Sequence, residues 1–291
     1  MIIDGYTRTC GLIGNPVEHT MSPAIHNTLA AEFSENLVYV PFRVPGGMVK
    51  EAVEGAFALN LLGCNVTVPY KSAVLPYLKE LDSLAERIGA VNTLVRTERG
   101  FKGYNTDMPG LYRAMCEDGI KLEGEKVLIL GAGGVARAVA VLLAQKGVEK
   151  IVILNRTVEH AEKIAEEINS FSGRKLASAL ALGEYGKLPE GGKYLAIQAT
   201  NVGMYPNTED VVVSDPAFYA RIHTGYDLIF NPVRTRFMAL TEEGGGRAYN
   251  GLKMLLYQGI ISYELWTGKE VDEKLAGKAY AEMKKAMHLS E

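Results

Sequence analysis

A strand, a glycine-rich turn and a helix follow one another directly in residues 126–145, and this order constrains the fold more than any other feature. The apolar run at 126–130 predicts a buried strand, and the alanine- and valine-rich stretch from Gly134 onward predicts a helix. Between them, Gly131 permits a tight turn and Gly133 lets the backbone approach a pyrophosphate. The free N–H groups at the start of the helix would point at the phosphates. The segment therefore predicts a dinucleotide-binding site.

The end of the next strand indicates which dinucleotide is bound. The apolar run at 150–154 is followed by Asn155, Arg156 and Thr157. A site for NAD usually carries an acidic residue here, which accepts a hydrogen bond from the ribose 2′-hydroxyl. A guanidinium instead suits a 2′-phosphate, because the two groups form charge-assisted hydrogen bonds. The sequence therefore predicts NADP(H) as the cofactor.

Length, composition and charge limit the other possibilities. The 291 residues are enough for two cores, and 47% apolar with 22% charged residues is ordinary for a globular enzyme. The net charge is −3 without any basic block, so no nucleic-acid partner is expected. No apolar stretch is long enough to cross a bilayer and no secretory leader is present, so we expect a cytoplasmic protein. The histidine and cysteine spacings match neither a metal site nor a disulfide framework, so no metal is expected.

Apolar runs alternate with helical stretches along nearly the whole chain, which is typical of α/β proteins with mostly parallel sheets. Before residue 107 the predicted strands are 9–13, 37–44, 61–68 and 91–97, and the predicted helices are 22–33, 47–59 and 72–88. After a helix at 107–117, the predicted strands are 126–130, 150–154, 176–179, 193–199, 225–230 and 247–249. We therefore expect an N-terminal α/β domain at 1–107 and a Rossmann-type domain at 108–251.

Two more helices are predicted after the last strand, at 251–266 and 271–287. They could close the nucleotide-binding domain, or they could return to cover the N-terminal one. Their periodicity does not choose between these arrangements.

Two charged residues stand where predicted elements begin or end. Lys71 follows the strand that Pro69 stops, and the ligands of open α/β sheets bind outside the carboxyl ends of strands. On this feature alone, Lys71 could equally be a solvated surface lysine. Asp107 stands at the start of a predicted helix, where it could act only as an N-cap.

Polar residues elsewhere also allow purely structural interpretations. Thr20 and Ser22 stand at the start of a predicted helix, and their hydroxyls could cap its N–H groups. Asn92 could be only a turn residue. Gln258 lies on an otherwise apolar helix, where a buried amide needs hydrogen-bond partners.

Taken together, these segments resemble the shikimate dehydrogenases in their order and spacing. The matching segments are residues 14–27, 65–71, 89–93, 103–107, 131–134, 155–157 and 251–258. The N-terminal motifs are specific to that family, whereas many dehydrogenases share the glycine turn. The resemblance implies NADPH-dependent, reversible reduction of 3-dehydroshikimate to shikimate in chorismate and aromatic amino-acid biosynthesis. It also implies that residues 252–291 return to the N-terminal domain, which would bind the substrate.

The resemblance further implies a role for each candidate residue. Lys71 and Asp107 would be the catalytic pair, since hydride transfer to a ketone leaves charge on an oxygen that an ammonium can stabilise and protonate. The residues that would bind the substrate are Thr20, Ser22, Thr67, Asn92, Asp107, Phe230 and Gln258. Those that would bind the cofactor are Gly131, Ala132, Gly133, Gly134, Val135, Asn155, Arg156, Thr157, His160, Leu228 and Gly251.

Three of these positions depart from the usual residues of the family. The family usually has serine where Thr20 stands, tyrosine where Phe230 stands and a second arginine where His160 stands. Because Phe230 cannot form a hydrogen bond, one substrate contact is lost or is made by water. The departures affect affinity and substrate choice more than reaction type.

Two other functions fit the same scaffold. A quinate/shikimate dehydrogenase would use NAD, but Asn155 and Arg156 stand where such a site carries an acidic residue. A non-catalytic NADPH-binding regulator would be expected to lack Lys71 or Asp107, and both are present. The sequence leaves open whether the protein is a monomer or a homodimer.

Overall fold

The computed structural model describes residues 3–189 and 191–289, which divide into two units. The first unit contains the residues up to Arg113 together with those from Leu255 onward, and the second contains Ala114–Met254. The divisions lie a few residues after the predicted boundaries at 107 and 251. Since the chain from Leu255 onward belongs to the first unit, the predicted return of the last helices is confirmed.

The first unit is built on a six-stranded sheet in the order β2-β1-β3-β5-β6-β4. Its strands are β1 (Arg8–Gly14), β2 (Leu37–Arg43), β3 (Gly63–Val66), β4 (Glu80–Leu81), β5 (Thr93–Thr97) and β6 (Gly100–Tyr104). β1 runs parallel to β2 and β3, whereas β5 is antiparallel to both of its neighbours. The parallel strands therefore bring their carboxyl ends to one edge of this sheet.

Helices from both ends of the chain complete the first unit. Those that belong wholly or partly to it are α1 (Ser22–Glu32), α2 (Val49–Ala58), α3 (Ser83–Ile88), α4 (Asp107–Glu117), α9 (Leu252–Thr267) and α10 (Glu273–Ala286). α10 packs against α1, and α9 is tied to β5 by the Trp266 indole, which donates to the Leu94 carbonyl at 2.8 Å. Gly63 makes room for that indole, because a Cβ there would lie 2.0 Å from Trp266 Nε1.

The helix predicted at 72–88 is wrong. The structure has a 3-10 turn at Leu75–Tyr77, the short strand β4 and then α3. Pro76 lacks the N–H that an interior helical position needs, and the Asp82 carboxylate accepts from Leu84 N–H at 2.9 Å to start a new helix. Strong local stop and start signals therefore outweigh the apolar periodicity of this segment.

The second unit is built on a parallel sheet of six strands in the order β12-β11-β10-β7-β8-β9. Its strands are β7 (Lys126–Leu130), β8 (Lys150–Asn155), β9 (Ala177–Ala181), β10 (Tyr194–Gln198), β11 (Ile222–Asp227) and β12 (Arg247–Tyr249). Its helices include α5 (Gly134–Gln145), α6 (Val158–Ser172), α7 (Pro216–Tyr219) and α8 (Arg236–Glu243). This is the doubly wound order of dinucleotide-binding folds, so the predicted α/β fold with a Rossmann-type domain is confirmed.

The described residues contain neither a membrane-spanning helix nor a metal-binding cluster. No helix within 3–189 or 191–289 combines the length and the apolar character needed to cross a membrane. In the same ranges, no three or more His, Cys, Asp or Glu side chains are grouped so that they could hold a metal ion. Cys10, Cys64 and Cys116 are free thiols.

A buried histidine makes the stability of the first unit dependent on pH. His26 of α1 is 0% exposed, and its ring stacks on Tyr39 with 4.2 Å between the centroids. The ring centroids of His26 and Trp266 lie 5.1 Å apart. Neither imidazole nitrogen has a hydrogen-bond partner among the described residues. Burial lowers the pKa of His26 to about 3, and the neighbouring Asn65 side chain offsets this only in part. Below the usual pKa of histidine, His26 therefore stays neutral in the folded chain but becomes protonated in the unfolded chain.

We expect His26 to contribute a decrease in the free energy of unfolding as the pH falls below about 6.5, the usual pKa of an unfolded histidine. Between that value and the folded pKa, His26 alone contributes a loss of up to about 1.4 kcal/mol per pH unit. A His26→Phe variant keeps a stacked ring but does not titrate, so its stability should fall less steeply. Urea unfolding of both proteins between about pH 7.5 and pH 5 measures the slopes. Equal slopes would contradict this assignment.

Candidate active site

Lys71 and Asp107 form an ion pair in the first unit. Lys71 Nζ lies 2.6 Å from Asp107 Oδ2, and the side chains are 32% and 16% exposed. The chain reaches Lys71 through a turn after β3, in which buried Tyr70 donates its hydroxyl to the Val44 carbonyl at 2.7 Å. On the other side, Val91 N–H donates to the Lys71 carbonyl at 2.8 Å. The lysine backbone is therefore fixed, while its ammonium remains accessible to a small molecule.

Asn92 orients the carboxylate of that pair. Its amide donates to Asp107 Oδ1 at 2.8 Å and to Thr106 Oγ1 at 3.0 Å. Its oxygen accepts from Thr106 N–H at 2.7 Å, and Asn92 is only 2% exposed. Asp107 is the first residue of α4, yet its two oxygens contact Lys71 and Asn92. Asn92 thus holds the Asp107 carboxylate in position to contact Lys71, in addition to any role in the turn.

A buried polar network lies next to this arrangement and joins it to α9. The Asn65 amide donates to Ser262 Oγ at 2.9 Å and to Thr93 Oγ1 at 3.1 Å. Ser262 Oγ also lies 3.1 Å from Thr106 Oγ1 and donates to the Gln258 carbonyl at 2.8 Å. Sequence analysis missed Ser262. The available signal was a serine four residues after Gln258, which places both on one face of the same helix.

The other predicted substrate residues of the first unit carry polar side chains, and they lie near the ends of β3 and α1 or within α9. Thr20 Oγ1 lies 3.2 Å from Ser22 Oγ and accepts from Ser22 N–H at 3.2 Å. No side-chain hydrogen bond caps α1 at its N-cap residue Met21, so the capping interpretation is limited to the contact of the Thr20 hydroxyl with the N–H of Ser22. Thr67 is half-buried just beyond β3, and the Gln258 amide donates to the Leu255 carbonyl at 2.7 Å. Phe230 belongs to the second unit.

The glycine turn of the second unit has the shape that a phosphate group needs. Gly131 has φ +108°, and a Cβ there would lie 2.7 Å from Thr200 Cγ2. A Cβ at Gly133 or Gly134 would meet nothing within 4 Å, so the backbone faces open space where α5 begins. Ala132 is half-buried, and Val135 is 47% exposed. These residues fit a dinucleotide pyrophosphate, with the helix N–H groups available as donors.

The chain is exposed where β8 ends, and it carries an arginine there. Asn155 Nδ2 donates to the Thr157 carbonyl at 2.8 Å, which shapes the turn. Arg156 is exposed, and within 3–189 and 191–289 no carboxylate forms an ion pair with it. His160 is exposed in the first turn of α6. A guanidinium that no carboxylate of the described residues pairs with, next to the glycine-turn strand, is suited to a 2′-phosphate.

Leu228 and Gly251 lie in direct contact beyond the ends of β11 and β12. Gly251 N–H donates to the Ile229 carbonyl at 2.9 Å, and a Cβ at Gly251 would lie 2.3 Å from the Leu228 carbonyl oxygen. Leu228 N–H donates to the Gln198 carbonyl at 3.1 Å, and Phe230 follows half-buried. Only glycine permits this approach, so the two positions form one rigid surface at the carboxyl edge of the parallel sheet.

Sequence analysis also missed the segment that follows β10. Buried Gln198 accepts from Thr200 N–H at 2.6 Å and from Thr200 Oγ1 at 2.7 Å, and it donates to the Val202 carbonyl at 3.0 Å. This fixes Thr200 beside Gly131. The signal was a run of polar residues directly after a predicted strand, at the edge where ligands of such sheets bind.

Profiles of known protein families match three segments of the chain. The profile of the shikimate dehydrogenase substrate binding domain matches residues 12–94. The profile of shikimate/quinate 5-dehydrogenase matches residues 114–182, and that of the shikimate 5′-dehydrogenase C-terminal domain matches residues 251–276.

Individual relatives give the same result over nearly the full length. The shikimate dehydrogenase (NADP(+)) of Methanopyrus kandleri is 44% identical over 285 residues, which cover 96% of this chain and 97% of that protein. A crystal structure of shikimate dehydrogenase in complex with NADP+ is 37% identical, covers 96% of both chains and has a TM-score of 0.86. Shikimate 5-dehydrogenase from Listeria monocytogenes, in complex with shikimate and NAD, is 34% identical, covers 98% of both chains and has a TM-score of 0.87. The chain therefore belongs to the shikimate dehydrogenase family.

Proposed function

We propose that the protein catalyses the NADPH-dependent, reversible reduction of 3-dehydroshikimate to shikimate, a step toward chorismate and the aromatic amino acids. The observation that carries the proposal is the 2.6 Å ion pair between Lys71 and Asp107 in a chain of this family. The Methanopyrus kandleri relative bears the name of this activity. The pair supplies the proton-transfer chemistry that the reduction of a ketone requires.

The proposed roles of the pair follow from the charge that the reaction develops. A ketone that accepts a hydride gains negative charge on its oxygen and then needs a proton. The hydride is supplied by NADPH when that cofactor is bound. The Lys71 ammonium donates a hydrogen bond to this oxygen and transfers the proton, and it takes the proton back in the reverse direction. Asp107 holds the ammonium in place through Oδ2, the oxygen that Asn92 leaves free.

The substrate contacts are proposed from small polar side chains. Thr20, Ser22, Thr67 and Gln258 would bind the hydroxyls and the carboxylate. The amide hydrogens of Asn92 already contact Thr106 and Asp107, so its main proposed role is to orient the carboxylate. The methyl group of Thr20 and the missing hydroxyl at Phe230 would alter affinity more than reaction type.

The cofactor contacts are proposed from the second unit. The turn at 131–135 would bind the pyrophosphate, and the segment 155–157 with His160 would bind the 2′-phosphate. Leu228 and Gly251 would face the nicotinamide. Family membership does not choose between the cofactors, since the Listeria monocytogenes relative contains NAD. The absence of an acidic residue after β8 and the presence of Arg156 favour NADP(H).

The alternatives are less well supported. An NAD-linked quinate/shikimate dehydrogenase would lack an acceptor for the ribose 2′-hydroxyl after β8. A non-catalytic regulator would not need the oriented ion pair between Lys71 and Asp107. A cytoplasmic location and a monomeric or homodimeric state stay predictions.

Replacing Arg156 should change the choice of cofactor. Loss of a charge-assisted phosphate contact costs about 1.5–3 kcal/mol, so Arg156→Ala should weaken NADPH binding by roughly ten- to a hundredfold. NADH lacks the 2′-phosphate, so its affinity should stay nearly constant. Fluorescence titration with both cofactors measures the two affinities.

Arg247→Ala is the matched control for this substitution. Arg247 is also an exposed arginine of the second unit, but it lies at the amino end of β12, away from the predicted phosphate site. The control should bind both cofactors as the wild type does. An equal loss of NADPH and NADH affinity in Arg156→Ala would refute the phosphate assignment.

Replacing Lys71 should slow the reaction much more than it weakens substrate binding. If the ammonium acts mainly on the developing charge, Lys71→Met should lower kcat by at least about a hundredfold with a much smaller change in KM. Lys50→Met, at an exposed lysine of α2, should leave both parameters unchanged. Initial rates of NADPH oxidation give both quantities.

The double variant tests whether Lys71 and Asp107 act as a unit. Since Asp107 holds the ammonium, Asp107→Asn should add little further loss of kcat in a Lys71→Met background. Initial rates of the two single variants and the double variant complete the cycle. Fully additive losses would mean that the two residues act independently.

A further inference from the structure

Asp227 carries a buried carboxyl group in the second unit. It is the last residue of β11 and is 0% exposed. No ion pair joins it to a lysine, arginine or histidine in the described part of the chain. Burial raises the pKa of this carboxyl to about 6. A group that is so costly to bury calls for an explanation from its contacts.

Its two oxygens close the loop that follows the strand. Oδ1 accepts from Ile229 N–H at 3.0 Å, and Oδ2 accepts from the Thr235 hydroxyl at 2.6 Å. The same Thr235 oxygen accepts from Met238 N–H at 3.3 Å and so begins α8. One carboxyl group therefore joins both ends of the segment 228–234 to the end of β11.

This segment carries the surface formed by Leu228 and Gly251. Ile229, whose N–H is held by Asp227, offers its carbonyl to Gly251 N–H at 2.9 Å. The missing side chain of Gly251 allows the backbone to approach the Leu228 carbonyl oxygen. A shift of Ile229 would therefore move both positions at once.

We propose that Asp227 is a positioning residue for hydride transfer, which clips the segment 228–234 so that the Leu228–Gly251 surface holds the nicotinamide ring in one place. This inference rests on the proposed function, because it requires a bound nicotinamide. Asp227 touches neither substrate nor cofactor and acts through Leu228 and Gly251. Since small misplacements of reacting groups lower rates steeply, the effect belongs to kcat rather than to cofactor affinity.

One variant weakens both hydrogen bonds of Asp227, and another removes only the hydrogen bond from Thr235. Asp227→Asn weakens both contacts, and Thr235→Val removes only the hydroxyl, whereas Thr235→Ser keeps it. Thr241→Val is the matched control, because Thr241 is equally buried in α8 and donates to the Phe237 carbonyl, away from the segment. Amide hydrogen exchange of Ile229 in the cofactor-free protein measures how well its hydrogen bond to Asp227 is kept, and thermal unfolding measures the folded fraction.

We expect exchange at Ile229 to become at least about tenfold faster in Asp227→Asn and Thr235→Val. In both variants kcat should fall by at least about tenfold, while the Kd of NADPH changes less than about threefold. Thr235→Ser and Thr241→Val should resemble the wild type. If exchange accelerates but kcat per folded molecule is unchanged, or if Thr241→Val loses as much activity, the proposal is overturned.

Emission from bound NADPH separates this proposal from the proposed function. If the wild type does not reduce 3-dehydroshikimate, the proposed function fails, but the emission of bound NADPH still reports the surroundings of the nicotinamide. An emission change in Asp227→Asn and Thr235→Val, absent in Thr241→Val, then supports the positioning role. Unchanged emission in all variants overturns it.

Discussion

Two asparagine side chains, Asn65 and Asn92, hold together the polar end of the first sheet, and the candidate chemistry depends on them. Asn65 joins β3 to Ser262 of α9, and Asn92 binds Asp107. Both amides are almost completely buried. A buried polar group left without a partner costs about 1–3 kcal/mol, so the network favours one arrangement of strands and helix. Helix α9 is thus coupled through hydrogen bonds to the pair that would transfer the proton.

The same network explains how Asp107 can orient the ammonium of Lys71. Its Oδ1 is occupied by Asn92 and its Oδ2 by Lys71, so the ammonium is oriented before any substrate arrives. Groups placed in advance at a developing charge lose little free energy to reorganisation during the reaction. In the second unit, the closure of the segment after β11 by Asp227 follows the same principle. Buried polar side chains therefore support both proposed sites. Asn92 orients Asp107 in the first unit, and Asp227 holds the segment after β11 in the second.

Local sequence patterns were sufficient to predict the second sheet. They were not sufficient to predict the contacts that form the candidate site. The run at 126–130 and the glycines that follow have one compatible fold, so β7 and α5 are as predicted. The helix at 72–88 was wrong because Pro76 and the Asp82 cap interrupt an apolar pattern. Neither the return of the last helices nor the bond between Asn65 and Ser262 follows from periodicity, because each joins residues far apart in the chain. The family resemblance supplied the first of these. For the second, the spacing of Gln258 and Ser262 placed the serine on the same helix face but did not identify Asn65 as its partner.

The most direct test of the account is the initial rate of cofactor oxidation by the purified wild type with each pairing of substrate and cofactor. The substrates are 3-dehydroshikimate and 3-dehydroquinate, and the cofactors are NADPH and NADH. We expect efficient turnover of 3-dehydroshikimate with NADPH, and a value of kcat/KM at least about tenfold lower with NADH, since only NADPH gains the Arg156 contact. Faster turnover with NADH, or no turnover of 3-dehydroshikimate with either cofactor, would contradict it.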